Sequence, residues 1–160
     1  MRKTIALILV VLFVCEAAFA GLGSNKAMYV GGTLNALKEK TEGKLTLNDK
    51  DLLFEHKAGK FAIPYENITS LEYGQKAGRR VGATIGMAAA VGIFAAPMLF
   101  SKKRKHYLTV GFNDENGKPQ AAVIELGKET VKPTLEGLEA KTGKKVEYQD
   151  EEAKKSEGKK

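Results

Sequence analysis

The sequence predicts a mainly β protein of the α+β kind. Six to seven antiparallel strands form a partly open barrel, followed by one C-terminal amphipathic helix, with an apolar helical or re-entrant insert between strands. Three observations lead there. Apolar and polar residues alternate in short runs bounded by turn residues, from about residue 27 to residue 126. The period then changes, and Val131, Leu135, Leu138 and Thr142 recur at helical spacing beyond Gly127. Residues 81–100 interrupt the strands with twenty positions that carry no charge. A small sheet with a single helix cannot bury both faces while flat, so it should curl into a barrel that the helix plugs.

In chain order, residues 27–34 (AMYVGGTL) are the first strand candidate, with Gly31 and Gly32 marking a bulge or sharp bend. Residues 35–43 are polar and read as a loop or helical turn. A hairpin follows. Residues 44–47 put Leu45 and Leu47 on one face, Asn48, Asp49 and Lys50 supply turn chemistry, and residues 51–56 return with Leu52 and Phe54 alternating and Leu53 opposite. Lys57, Ala58 and Gly59 make a second turn, after which Phe61 and Ile63 alternate again. Pro64 has no N–H for a ladder and marks an edge or a strand end. Residues 67–74 carry Ile68, Leu71 and Tyr73 as another strand.

Beyond the insert, residues 106–113 alternate Leu108, Val110 and Phe112. Asn116-Gly117 reads as a hairpin turn with both residues tolerant of positive φ. Residues 119–126 return as a strand burying Ala121, Val123, Ile124 and Leu126. Pro133 suits only the first turn of a helix, which places the helix start near Val131 or Lys132, and Gly143 is its stop. Residues 146–148 add a short last strand, and 149–160 are a mixed-charge tail with too little apolar content to fold.

The N-terminus reads as a secretory signal peptide over residues 1–20. Arg2 and Lys3 precede an apolar run over 4–14, and Ala18-Phe19-Ala20 is a small-x-small cleavage site. An uncleaved anchor and a lipid on Cys15 are the alternatives. The expected location is exported, periplasmic or extracellular, and membrane-associated. Cys15 is the only cysteine and lies in the leader, so residues 21–148 would fold without a thiol, disulfide or thiolate metal site.

The insert is long enough to reach across a bilayer as a helix. A single crossing, however, would put the strands before and after it on opposite sides of the membrane, leaving two half-sheets with unpaired edges. The flanks are basic on both sides: Lys76, Arg79 and Arg80 before, Lys102, Lys103, Arg104 and Lys105 after. Both ends are therefore expected at one anionic surface, each cation contributing on the order of 1 kcal/mol there. A re-entrant hairpin bent at Gly92 or at Ala95-Ala96-Pro97 satisfies this. At about 1.5 Å per residue its arms would reach roughly half a bilayer deep. Val81, Ile85, Met87, Val91, Ile93, Phe94, Met98, Leu99 and Phe100 would contact lipid. Gly74, Gly78, Gly82, Gly86 and Ala90 fall every fourth residue, a glycine-zipper-like stripe along which a second helix could approach closely. Two other readings stay open: a buried helix capping the barrel of a soluble protein, and a true span.

The run from Gly43 to Leu71 resembles GRAM and bacterial pleckstrin-homology-like domains. The shared pattern is Gly43, Leu45, Leu47, Phe54, Ile63-Pro64-Tyr65, Glu66 and Ile68, and the later strands and helix follow in the same order. The resemblance spans roughly residues 28–145 and implies their barrel fold. The matching positions are core positions, so it implies no activity. The chain departs from that pattern in its export signal and its insert, and no phosphoinositide-binding motif is matched.

With 26 Lys and Arg against 19 Asp and Glu, the net charge is +7, which favours an anionic partner. Nucleic acid is not expected, because the chain carries an export signal and no aromatic residues alternate with the lysines. His56 and His106 read as structural, no metal-ligand spacing stands out, and the Asn113–Gly117 loop is explained by a hairpin. No cofactor is expected. An enzyme would need carboxylates such as Glu66 and Glu72 to converge with His106 in a cleft. The expected function is a non-enzymatic, exported, membrane-associated binding or scaffolding module. Its partner would be anionic membrane lipid or a protein, with self-association through the insert. The alternative is a soluble periplasmic ligand- or protein-binding domain whose insert caps the barrel.

Overall fold

The computed structural model describes residues 25–34, 37–75 and 105–149. Among the described residues eight strands form one sheet: β1 (Lys26–Gly32), β2 (Thr41–Leu47), β3 (Asp51–His56), β4 (Gly59–Pro64), β5 (Ile68–Gly74), β6 (His106–Asn113), β7 (Pro119–Leu126) and β8 (Val146–Tyr148). The one helix among the described residues, α1, is Lys128–Thr142. The spatial order is β4-β3-β2-β1-β7-β6-β5-β8, and β4 and β8 are its edges, so the sheet is not closed. All neighbours are antiparallel except β5 and β8, which run parallel. The mainly β class with one C-terminal helix is as the sequence predicts. The expected six to seven antiparallel strands become eight in a mixed sheet, because the chain leaving α1 returns beside β5 in the same direction.

Chain connectivity bends the sheet. β4 and β5 are joined only by a 3-10 turn, Tyr65–Asn67. Such a link reaches roughly 14 Å at full extension. In a flat sheet the two strands would stand six spacings apart in the order above, or about 29 Å. The sheet must therefore curl until its first strand approaches the far side, and Phe61 on β4 meets Phe112 on β6 with ring centroids 5.8 Å apart. The concave side holds one apolar cluster that includes Tyr29, Leu45, Leu52, Phe54, Leu71, Tyr73, Leu108 and Val110, with Val131, Leu135 and Leu138 of α1. Packing leaves an interior void of only about 10 Å³. That is room for no more than one water, so the apolar cluster of the described residues is closely packed there.

Four local features differ from the sequence expectation. β2 begins at Thr41 rather than 44, because Glu42 and Gly43 pair with Met28 and Ala27 of β1. Ile68, Leu71 and Tyr73 share the core although their spacing is three and then two, because the register shifts between Ile68 and Ser70. In the β6–β7 turn only Gly117 takes positive φ (73°). The Asp114 carboxylate accepts the Asn116 and Lys118 N–H groups there, which fixes a three-residue loop rather than a two-residue one. α1 starts at Lys128 and carries Pro133 inside it. Pro133 and Glu129 are exposed, so the carbonyl that loses its helical donor can face water.

Candidate functional site

Strand register gathers one rim of the sheet. Ala27 of β1 and His106 of β6 both lie opposite Leu126 at the end of β7. Gly74 at the end of β5 lies opposite Tyr107, and Tyr148 of β8 lies beside Tyr73. The described chain thus enters at Asn25, leaves after Gln75, returns at Lys105 and leaves again at Gln149, all on the same rim. Across β1-β7-β6-β5-β8 these points span four strand spacings, about 19 Å along the sheet. Gly74 pairs with Tyr107, which places Gln75 and Lys105 at the same end of the β5–β6 pair.

Of the three sets of residues that the sequence assigns to lipid contact, to an anionic surface and to small-residue helix packing, Gly74 and Lys105 are described. Gly74 belongs to β5 rather than to a helical stripe, and a Cβ there would meet the Gln149 side chain. Lys105 donates to Glu125 at 2.8 Å, and this hydrogen bond raises its pKa, so its charge is balanced by a carboxylate within the fold. The other members of the three sets lie outside the described residues. These are Val81, Ile85, Met87, Val91, Ile93, Phe94, Met98, Leu99 and Phe100; Lys76, Arg79, Arg80, Lys102, Lys103 and Arg104; and Gly78, Gly82, Gly86 and Ala90.

Beside the rim, His106 Nδ1 lies 2.5 Å from the Tyr73 hydroxyl, with the two rings within 9° of parallel. Burial lowers the His106 pKa, and nearby Lys128 lowers it further, while Glu125 opposes them. Strand alternation places Glu72 on the convex face, away from Tyr73, and Glu66 is exposed in the 3-10 turn before β5. The cleft that an acid–base reading requires from Glu66, Glu72 and His106 is therefore not assembled.

On the convex face of β1-β7-β6-β5, Val30 is 1% exposed, Thr109 3%, and Ala121 and Val123 0%. Val30, Tyr107, Ala121 and Val123 stand outside the main core cluster. The sequence predicts Ala121 and Val123 buried together with Ile124 and Leu126. Their alternation in fact sends the two pairs to opposite faces, so β7 is apolar on both sides.

A groove of about 650 Å³ runs between β4 and the β6–β7 turn. Leu34, Phe61 and Phe112 line it, with His56 and Lys60 on one lip and Asp114 and Glu115 on the other. The sequence marks β4 as an edge through Pro64. That Phe112 lies across from Phe61 depends on the curl and leaves no trace in local pattern. Among the described residues no group of three or more His, Cys, Asp or Glu side chains is placed to hold a metal ion. No helix among them is long and apolar enough to cross a membrane. No protein-family model matches this chain, and no curated protein matches it.

Proposed function

We propose that the chain is an exported, membrane-associated binding or scaffolding module of the pleckstrin-homology-like or GRAM-like kind, acting without catalysis. One observation carries the reading: the rim at which residues 25, 75, 105 and 149 meet. The apolar stretches at 4–14 and 81–100 both join the fold there, as do the basic flanks of the insert. A bilayer meeting this rim would receive both apolar stretches from one side, with the cations at head-group level. The resemblance of the Gly43 to Leu71 run supplies the fold family. The close packing of the described apolar cluster favours binding at surfaces over binding in an internal chamber. Protease protection in intact cells tests the topology, with one tag before Arg79 and one after Lys105. The reading requires both tags to be protected, or both cleaved, and the protein to sediment with membranes. One tag cleaved and the other protected overturns it.

The burial of Val30, Ala121 and Val123 on the convex face favours a second reading, a soluble exported domain whose insert lies against its own sheet. It predicts a monomer in the soluble fraction without detergent.

A further inference from the structure

We infer that the outer edge of β4 takes up an extended segment of a partner polypeptide, which adds a ninth strand to the sheet and seats an apolar side chain in the adjoining groove. The Asn48 N–H to Asp51 carbonyl bond fixes the alternation of the ladder. Residues 51, 53 and 55 bond towards β2, residues 52, 54 and 56 towards β4, and Gly59, Phe61 and Ile63 back towards β3. The N–H and C=O groups of Lys60 and Ala62 therefore point away from the sheet, where no backbone bond among the described residues meets them. Lys60, Ala62 and Pro64 are exposed. What fits such an edge is another extended backbone.

Neighbouring features narrow the occupant. Pro64 offers a carbonyl but no N–H, so the usable edge is short and admits few registers. A pairing this short needs side-chain contacts to hold, and the groove supplies them. Phe61 is half-buried, and with Phe112 and Leu34 it presents an apolar floor beside the edge. A large aliphatic or aromatic residue of the added strand would stand there. Lys60 on the edge favours an acidic residue across from it. Asp114 already accepts from Asn116, Lys118 and Gln120, which leaves exposed Glu115 as the carboxylate of the far lip. Residues 150–160 contain no large apolar side chain and do not meet this requirement. The inference does not depend on the membrane reading, since it rests on the backbone groups of β4 and the groove beside them.

The test pans a random dodecapeptide display library against the purified full chain and measures the affinity of the enriched peptides by fluorescence anisotropy. Enriched peptides should pair a large apolar residue with an acidic one in alternating sequence. Their binding should fall at least tenfold in Ala62→Pro, which removes an edge donor that β3 does not use. Lys60→Glu should reverse the charge preference. Because Ala62→Pro could also disturb the hairpin, amide exchange is followed in the unmodified chain, where added peptide should slow exchange at Lys60 and Ala62. Failure to enrich any peptide overturns the inference. So does binding that leaves the Lys60 and Ala62 amides unprotected, or self-association of the chain that disappears in Ala62→Pro, which would give the edge to a second copy.

Discussion

Two glycines separate backbone strain from steric exclusion. Gly117 has φ 73° with nothing within 4 Å of a Cβ position, whereas Gly32 has φ 153° and a Cβ there would lie 2.1 Å from the Ala121 carbonyl oxygen. Gly117→Ala should cost about 1 kcal/mol, the penalty of left-handed backbone alone. Gly32→Ala should cost roughly 3 kcal/mol, since the β1–β7 ladder must also open. Urea unfolding midpoints of the two variants check the order. His106 gives a pH prediction. Its pKa lies below the ordinary 6.5, first because it is buried and then because of Lys128. The unfolded chain then binds the proton more readily, so stability falls as pH drops below about 6.5 and the loss ends once pH passes the folded value. His106→Gln should flatten the stability profile between pH 7 and pH 5. Asp114 acts in a separate window. Bonds from the Lys118 and Asn116 N–H groups and from Gln120 hold its pKa below 3.8, so its contribution disappears only in stronger acid.

At the scale of elements, Pro133 is the informative departure. A proline confined to a first turn would start the helix near Val131, yet α1 begins at Lys128. Burial of Val131 alongside Leu135 and Leu138 draws the preceding turn into the helix, and tertiary packing overrides the local penalty. Pro133→Ala restores a donor to the Glu129 carbonyl and should raise stability by about 1–2 kcal/mol, measured by thermal unfolding. Strands from β3 to β7 were legible because their inward residues alternate between turns of recognisable chemistry. The start of β2 was not, since Thr41, Glu42 and Gly43 look like loop and are made strand by β1 beside them. β8 was legible as a strand, but its parallel direction follows from where α1 delivers the chain. The candidate site divides the same way. Basic flanks and an uncharged insert are visible in the sequence, whereas the Lys105–Glu125 pair and the groove under β4 come from register and curl.

For the molecule as a whole, the β5–β6 junction decides between the two functional readings. Gly74 opposes Tyr107, so Gln75 and His106 are the next pair, and a tight turn could join the strands directly. Replacing residues 76–105 with Asn-Gly should therefore leave the sheet intact. Shortening the connection by roughly four doublings of length should itself favour folding by about 2 kcal/mol. What happens to the convex face is then diagnostic, because Val30, Ala121 and Val123 are nearly inaccessible in the whole chain. If the insert serves a bilayer, the shortened chain should stay folded and monomeric, judged by circular dichroism and sedimentation, and leave the membrane fraction. If the insert instead lies on its own sheet, the same deletion uncovers the apolar residues of β1 and β7. The chain should then bind a hydrophobic dye and aggregate, although its strand connection has become shorter.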